Sequence, residues 1–414
     1  MAIEKVNIEK FLELSQQCPV IDVRSPSEYK HAHIPGAKNL PLFSDDERKI
    51  IGTTYKQKSR EEAIKIGLEV FGPKMRKMVE KAENLIGNWQ LTISKEKNSQ
   101  RTMHKTSAAD SSLPIANCLL LYCWRGGMRS AAVAWLMDLY GYKVYTLVGG
   151  YKKFRGYVLE TFTLPFQFRI LGGYTGSGKT DMLKALGKNG ETVVDLEYIA
   201  GHKGSAFGSL GFPKQPNQEM FENVLALELR EKVSRSVVSK SVRNHNEDIS
   251  MTDLLTNQDL TIKGPATDPP ALPPIWLEDE SQRIGDVNIP HELWKTMRRS
   301  PVYFLEIPFE ERLKYIVNDY GKFEREKLLS CITRIEKRLG GSETKKAIAY
   351  LQEDNFIESF RILLKYYDKW YFKSLHNRES LNSLLTIIPY EKIEPQNPDL
   401  VLRKIQYQSK TVSA

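Results

Sequence analysis

The chain has 414 residues, 41% of them hydrophobic and 27% charged, which is typical of a globular protein with two or three domains. It has no apolar run of the ~18 residues that a membrane span needs, and MAIEKVNIEKF does not resemble a secretory signal. With only four cysteines we expect no disulfide framework and a cytoplasmic location, while the net charge of +9 favours an anionic partner such as nucleic acid or a phosphorylated substrate.

Short apolar strands alternate with amphipathic helices along the chain. The predicted strands are PVIDVR, CLLLYC, KVYTLV, FQFRILGG, ETVVDLE, PIWLED and PVYFLEI. This alternation predicts two α/β domains with parallel sheets, separated near Pro165 and followed by a mainly helical region.

Two polar stretches, 94–117 and 234–274, predict surface insertions or disordered loops without chemistry of their own. The predicted organisation is a first domain at 1–160, a second at 165–308, a helical C-terminal region at 309–390 and a tail at 391–414.

The first strand ends in an Asp-x-Arg pattern formed by Asp22 and Arg24. A predicted helix that carries Glu28 follows, and the turn HIPGA at 33–37 leads toward the next strand.

Cys123 ends the buried strand LLLYC and begins the turn WRGGMR before an amphipathic helix. Loop amides and a helix N-terminus at this position favour a thiolate and can bind an anion. Gly126 and Gly127 allow the positive φ angles of such a cradle, and Arg125 and Arg129 can pair with oxyanions or a nucleic-acid backbone. The loop therefore predicts a reactive cysteine.

The other cysteines are interpreted as buried structural residues. These are Cys18, Cys118 and Cys331. About 16 Å of strand separates Cys118 from Cys123, so it is not expected to act as a resolving partner.

Together, the Asp-x-Arg strand, the HIPGA turn and the cysteine loop resemble a rhodanese domain. One departure is that five residues, Trp124 to Met128, separate Cys123 from Arg129, one more than rhodanese sulfurtransferases usually have. The longer loop is similar to those of the related cell-cycle phosphatases, which hold a phosphate. The cradle is therefore expected to accept a group larger than a lone sulfur.

The next motif, GGYTGSGKT at 172–180, lies between a predicted strand and a helix, the context of a P-loop. Its backbone amides would wrap a diphosphate, Lys179 would neutralise the outer oxygens and Thr180 would bind Mg²⁺. The predicted phosphate-binding residues are Gly173, Gly176, Ser177, Gly178, Lys179 and Thr180.

Several polar residues beyond the later strands are further candidates. Four carboxylates are placed to bind metal or position water, unless they serve only solubility: Asp195, Glu197, Glu278 and Asp279. His202 and Lys203 follow a strand end. Arg312 is a possible phosphate clamp, because PVYFLEIPFEERL resembles the late strand and arginine-bearing helix of P-loop kinases.

The helix LLKYYDKWYFKSLHNR at 363–378 interleaves basic and aromatic residues. The lysines can contact phosphates and exposed aromatics can stack on unpaired bases. Aromatics at helical spacing more often pack in a core, which is the preferred interpretation here.

A rhodanese domain followed by a P-loop domain, with IGTTYKQKSREEAIKIG, DLEYIAGHKGSAFG and WLEDESQRIG, closely resembles the tRNA 2-selenouridine synthases. The resemblance implies a transferase that geranylates the sulfur of wobble 2-thiouridine in the tRNA anticodon arm from geranyl diphosphate. It then replaces S-geranyl with selenium from selenophosphate, handled by Cys123, Arg125 and Arg129. An enzyme that supplies selenophosphate is a possible partner, and a monomer is expected.

Two other functions remain open from the residues alone. One is a P-loop kinase or NTPase with a rhodanese-like regulatory domain, and the other is a phosphatase built on the cysteine loop.

Overall fold

The computed structural model describes residues 3–101, 117–241, 273–393 and 398–412. They form two compact units, 1–160 and 161–414, which we call the N-terminal and C-terminal units. Each unit contains a parallel sheet with helices, which confirms the predicted α/β class. Within the described ranges, no helix is long and apolar enough to cross a membrane.

The sheet of the N-terminal unit has five parallel strands in the order β1-β5-β4-β2-β3. Leu119, Leu120 and Leu121 of β4 are fully buried, as expected for a central strand covered on both faces. The strands are β1 (Glu4–Val6), β2 (Val20–Asp22), β3 (Lys38–Asn39), β4 (Cys118–Tyr122) and β5 (Lys143–Leu147).

Helices of this unit begin at polar capping residues. The hydroxyl of Ser44 accepts a hydrogen bond from the backbone N–H of Glu47, and Ser59 caps the next helix in the same way. The helices are α1 (Ile8–Leu14), α2 (Pro26–His31), α3 (Asp45–Gln57), α4 (Arg60–Phe71), α5 (Met75–Arg101), α6 (Met128–Leu139) and α7 (Gly150–Thr161).

Of the two alternatives predicted for the polar stretches, a surface insertion or a disordered loop, the disordered loop is wrong for the first part of each. Helix α5 continues to Arg101, and α10 (Gln218–Ser241) likewise enters the second stretch. Once a helix is nucleated, each added residue gains a hydrogen bond, so polar residues can prolong it without a core. The rest of the two stretches, apart from Asn117 and the prolines at 273–274, lies outside the described residues.

A disulfide joins Cys18 and Cys118, whose Cα atoms lie 5.5 Å apart, so the expectation of no disulfide is wrong. The cause is strand register. Val20 of β2 lies opposite Leu120 of β4, so the residues two positions earlier on each side also face one another. The structural interpretation of Cys331 agrees with its buried, free thiol.

The C-terminal unit contains a four-stranded parallel sheet in the order β11-β10-β6-β7 and a short antiparallel pair, β8-β9. The strands are β6 (Phe168–Gly173), β7 (Ile275–Glu278), β8 (Arg283–Ile284), β9 (Val287–Asn288), β10 (Val302–Glu306) and β11 (Leu385–Pro389). Because β11 pairs with β10, the region predicted as mainly helical also supplies a strand to the P-loop sheet.

The predicted strand ETVVDLE does not form. Val193 makes a single bridge to Trp276, and α9 begins at Leu196. Asp195 is the N-cap of that helix, and its carboxylate accepts a hydrogen bond from the N–H of Tyr198 at 2.8 Å. An aspartate that caps a helix directs the backbone away from the sheet.

Helices of this unit also form a hydrophobic core of their own, which includes Leu328, Phe360 and Leu363. They are α8 (Lys179–Lys188), α9 (Leu196–Ala200), α10, α11 (His291–Arg298), α12 (Phe309–Tyr320), α13 (Arg325–Arg334), α14 (Glu336–Leu339), α15 (Gly341–Gln352), α16 (Phe356–His376), α17 (Leu381–Leu384) and α18 (Asp399–Val412).

Candidate active sites in the two units

Cys123 lies at the carboxyl end of β4 and is only 3% exposed. Its Sγ accepts a hydrogen bond from the backbone N–H of Gly127 at 3.3 Å and lies 3.3 Å from the Oγ of Ser130. The Ser130 hydroxyl is also 3.0 Å from the carbonyl of Gly127. A thiol can donate to Ser130, whereas a thiolate can accept the Ser130 proton instead, so the loop can hold either form.

Glycines allow the cysteine loop and the start of α7 to approach closely. Gly126 has a φ of +66°, and a Cβ there would lie 2.5 Å from the carbonyl oxygen of Leu147. A Cβ on Gly150 would lie 2.3 Å from the carbonyl oxygen of Cys123. Gly127 has a φ of −103° as the N-cap of α6, so the positive φ expected there is not used.

The two arginines of the loop are in different situations. Arg125 is exposed and makes no ion pair with the described residues. The guanidinium of Arg129 donates two hydrogen bonds to the carboxylate of Glu28. Nη1 lies 2.6 Å from one oxygen and Nη2 lies 3.4 Å from the other. Arg125 therefore has an unpaired charge for an anion, whereas the charge of Arg129 is balanced by Glu28.

Glu28 ties the loop to α2 and α3. Its carboxylate also accepts hydrogen bonds from the backbone N–H of Ser25 at 3.1 Å and lies 3.2 Å from Nε of Arg48. Burial works to raise its pKa, but the hydrogen bond and charge of Arg129, the Ser25 N–H and the Arg48 charge lower the pKa to about 2. Glu28 is therefore ionised at neutral pH and holds Arg129 in place.

Asp22 and Arg24 form a buried pair rather than a lining of the loop. The guanidinium of Arg24 donates to Asp22 at 2.6 Å and to the carbonyl of Ala32 at 2.7 Å, which joins the end of β2 to the C-terminal end of α2. It lies 3.9 Å from the ring centre of Tyr151. Trp124 is 40% exposed beside Tyr151, with 5.8 Å between the ring centres.

In the C-terminal unit, the P-loop joins β6 to α8 at the predicted position. Gly176 and Gly178 have φ angles of +79° and +72°, which turn the backbone around an anion site. Lys179 donates from Nζ to the carbonyl of Gly173 at 2.9 Å. Ser177 is 2% exposed, and its Oγ has no hydrogen-bond partner among the described residues.

Three carboxylates meet beside Thr180. The Thr180 hydroxyl lies 2.8 Å from Glu278 and 3.2 Å from Glu197. Glu280 joins them, with one oxygen of each of the three carboxylates within 4.8 Å of the others. The sequence prediction missed Glu280, although its spacing of two residues from Glu278 is visible in WLEDE.

This cluster fits a hard divalent cation such as Mg²⁺. All its donors are oxygens, and one oxygen of the fully buried Glu278 has no hydrogen-bond partner within the described part of the chain. Burial, together with the charges of the neighbouring carboxylates, raises the pKa of Glu278 and of Glu280 well above the usual value. A bound cation would offset the repulsion between the carboxylates and would give the unpartnered oxygen of Glu278 a ligand bond. Thr180, Glu197, Glu278 and Glu280 are thus the candidate ligands.

Asp195 and Asp279 have other partners. Asp195 caps α9. Asp279 accepts a hydrogen bond from the hydroxyl of Tyr371 at 2.7 Å and forms an ion pair with Arg378. The hydroxyl oxygen of Tyr371 in turn accepts a hydrogen bond from the backbone N–H of Gly173 at 3.1 Å. Asp279 therefore connects α16 to the P-loop rather than joining the metal cluster.

Arg312 is not placed as a free phosphate clamp. Its guanidinium forms two hydrogen bonds with Asp368, at 2.8 and 2.7 Å, and one with the carbonyl of Thr175 at 3.1 Å. The side chain is 4% exposed, so its charge is neutralised inside the protein. It positions the P-loop through Thr175.

His202 and Lys203 lie in the loop after α9. Nδ1 of His202 accepts the backbone N–H of Gly204 at 3.1 Å, and burial lowers the pKa of the imidazole. Lys203 pairs with Asp319 at 2.7 Å and lines the cavity beside the P-loop. Of the two, Lys203 is placed to meet a ligand.

A cavity of about 620 Å³ extends from the P-loop and the carboxylates to an aromatic wall. The wall comes from α12 and α16, so the helix predicted at 363–378 has two roles. Leu363 and Leu364 pack in the core, whereas Tyr367, Trp370 and Tyr371 line the cavity.

Comparison with known proteins agrees with these two units. A model described as the tRNA 2-selenouridine synthase AAA domain matches residues 166–250 and 258–384, and a rhodanese-like domain model matches residues 7–68. A tRNA 2-selenouridine synthase from Bordetella petrii is 30% identical over 85% of this chain and 86% of its own length. One from Hydrogenovibrio crunogenus is 31% identical over 87% of this chain and 90% of its own length. The chain belongs to the tRNA 2-selenouridine synthase family.

Proposed function

We propose that this protein is a tRNA-modifying enzyme that converts wobble 2-thiouridine to 2-selenouridine through an S-geranyl intermediate. The observation that carries this proposal is the cavity of the C-terminal unit, in which a diphosphate-binding loop and a carboxylate cluster adjoin an aromatic wall. A substrate with a diphosphate at one end and an apolar chain at the other, such as geranyl diphosphate, matches both halves.

In the first step, the sulfur of 2-thiouridine attacks C1 of the geranyl chain. The new S–C bond forms as the C1–O bond breaks, diphosphate leaves, and the proton on N3 of the base is lost to it. P-loop amides and Lys179 stabilise the charge that develops on the departing diphosphate. Mg²⁺ held by Thr180 and the glutamates would supply further neutralisation of that charge.

In the second step, selenium of selenophosphate attacks C2 of the S-geranylated base. Geranyl thiol leaves and water cleaves the P–Se bond, which yields 2-selenouridine and phosphate. Arg125 would bind the selenophosphate oxygens, and Cys123 would hold the selenium donor or assist the thiol's departure. The ion pair between Arg129 and Glu28 would hold the cysteine loop in its conformation.

The substrate proposed for both steps is the anticodon arm of tRNA. The net charge of +9 supports binding to a polyanion, and Trp370, at 46% exposure, lies where an unpaired base could stack. We expect the protein to act as a monomer and to receive selenophosphate from the enzyme that makes it.

The direct test is mass analysis of nucleosides from 2-thiouridine-containing tRNA incubated with the protein, geranyl diphosphate, selenophosphate and Mg²⁺. We expect S-geranyl-2-thiouridine without selenophosphate and 2-selenouridine with it. An unchanged wobble base under every combination, together with strong tRNA-stimulated ATP hydrolysis, would favour an NTPase instead.

A further inference from the structure

We propose that Tyr367 and Phe360 form the closed end of a channel for the prenyl chain and thereby limit its length to about that of a geranyl group. This inference rests on the proposed function and adds residues that select one prenyl diphosphate over another.

The aromatic wall begins directly at the P-loop. A Cβ on Gly176 would lie 2.7 Å from Cγ1 of Ile316, so an apolar side chain of α12 lies directly against the loop. Tyr320 follows one turn later on α12, and Tyr367 faces the same cavity from α16. A diphosphate seated in the loop therefore has an apolar path immediately beside it.

A second, much smaller cavity continues from this wall into the core. It shares five lining residues with the large cavity: Thr175, Ser205, Ile316, Tyr320 and Tyr367. Its other lining residues are Phe207, Phe360, Leu363 and Leu364. Its volume is about 20 Å³. A space of this size holds about one water molecule and not a five-carbon isoprene unit.

The boundary between the two cavities is made of packed rings. The ring centre of Tyr320 lies 6.2 Å from that of Phe360 and 5.7 Å from that of Phe207. The hydroxyl of Tyr367 accepts the backbone N–H of Ala206 at 3.2 Å, which fixes this ring across the boundary. A chain that reaches these rings can go no further unless one of them is removed.

The chemistry of the small cavity favours a hydrocarbon over a nucleobase. Its deep residues, Phe207, Phe360, Leu363 and Leu364, have no side-chain hydrogen-bond donor or acceptor. The polar lining residues Thr175 and Ser205 are shared with the large cavity and so lie toward its mouth. A base that reached the four apolar residues would lose hydrogen bonds to water without replacement from them, whereas a prenyl tail gains from the burial.

The test compares geranyl diphosphate with farnesyl diphosphate, which is one isoprene unit longer, as donors to 2-thiouridine-containing tRNA. Tyr367→Ala should open the small cavity and raise the farnesyl-to-geranyl ratio of kcat/KM roughly tenfold or more. Tyr367→Phe keeps the ring but loses its hydrogen bond to Ala206, and should raise that ratio far less than Tyr367→Ala does. Ile357→Ala, an exposed position on the same helix, controls for effects of substitution on α16.

Phe360→Leu provides a second opening should Tyr367→Ala fail to fold, which thermal unfolding will report. An unchanged ratio in a folded Tyr367→Ala or Phe360→Leu variant that still geranylates tRNA would overturn the channel assignment. If wild-type protein transfers neither chain, the proposed function itself fails. If ATP competes for the cavity and Tyr367→Ala changes only ATP binding, a nucleotide is the occupant and the inference is wrong.

Discussion

Several residues that the sequence predicts to bind a ligand instead hold the loops in place through contacts within the protein. Arg129 forms an ion pair with Glu28, and Arg312 forms one with Asp368. An arginine that is bound in this way gains rigidity and loses freedom to meet a substrate. Arg125 forms no ion pair within the described part of the chain and is therefore the more informative candidate for binding an anion.

The Glu28 ion pair should stabilise the N-terminal unit in a pH-dependent manner. Its pKa is lowered from 4.5 to about 2, so the stabilisation is present above pH 4.5 and is lost as the pH falls from 4.5 toward 2. Glu28→Gln leaves Arg129 without its counter-charge and should cost about 1–3 kcal/mol at pH 7. Hydrogen exchange of peptides from this unit measures the loss, which should shrink at pH 3.

Glu62→Gln is the control for the Glu28 variant. It removes a carboxylate from an exposed pair with Lys65, and solvent screening makes such pairs nearly neutral in stability. Equal losses in the two variants, or a Glu28 effect independent of pH, would contradict the role given to Glu28.

At the level of elements, α12 and α16 hold the P-loop from one side. Arg312 of α12 joins Asp368 of α16 and also binds the carbonyl of Thr175. Tyr371 of α16 binds the N–H of Gly173 at the start of the loop. These two helices, which lie between β10 and β11 in the chain, therefore help to determine the shape of the P-loop.

Asp368→Asn should loosen the P-loop. The substitution leaves the guanidinium of Arg312 buried without its counter-charge, which costs roughly 3 kcal/mol. We expect a lower unfolding temperature and a higher KM for the diphosphate substrate, because Thr175 loses its fixed partner. Thermal unfolding and steady-state kinetics of geranyl transfer measure the two effects.

Glu310→Gln is the matched control for Asp368→Asn, since Glu310 and Arg361 form an exposed pair between the same two helices. Its stability and KM should stay near those of the wild type. A KM for Asp368→Asn that matches this control would argue against the positioning of the loop by Arg312.

At the scale of the whole molecule, two kinds of chemistry are carried by two units. The N-terminal unit offers a thiol that accepts a hydrogen bond from a loop N–H, and the C-terminal unit offers a P-loop beside three carboxylates that could hold a metal ion. The proposed reaction needs both, because one step expels diphosphate and the other exchanges sulfur for selenium.

Single substitutions should separate the two steps. Lys179→Ala removes a charge that stabilises the departing diphosphate, so geranylation should fall about 100- to 1000-fold. Cys123→Ala should still form geranylated tRNA, which accumulates when selenophosphate is present. Supplying pre-geranylated tRNA and selenophosphate to each variant, with mass analysis of the nucleosides, assigns the second step. Conversion by the Cys123 variant but not by the Lys179 variant would reverse the assignment.

Binding of tRNA should depend steeply on salt. A chain of net charge +9 is expected to contact phosphates through lysine and arginine, and such contacts release counterions. The dissociation constant measured by filter binding should rise strongly from low to physiological salt. A flat dependence would count against a phosphate-dominated interface.

The sequence by itself determined the two parallel-sheet units and the positions of both loops. The motif from Gly173 to Thr180 and the turn after Cys123 are set by local backbone requirements. A glycine that must adopt a positive φ and an apolar run that must be buried depend on neighbours within a few residues. Such features depend on a few consecutive residues, so the sequence alone can predict them.

Only the tertiary structure decided which distant residues meet. The Cys18–Cys118 disulfide depends on the register of two strands, and the meeting of Glu280 with Glu197 depends on the packing of α9 beside the end of β7. The Asp279–Tyr371 bond likewise requires α16 to return to the sheet. These contacts span 83 to 100 residues and are selected by packing and charge balance in three dimensions, which no local pattern encodes.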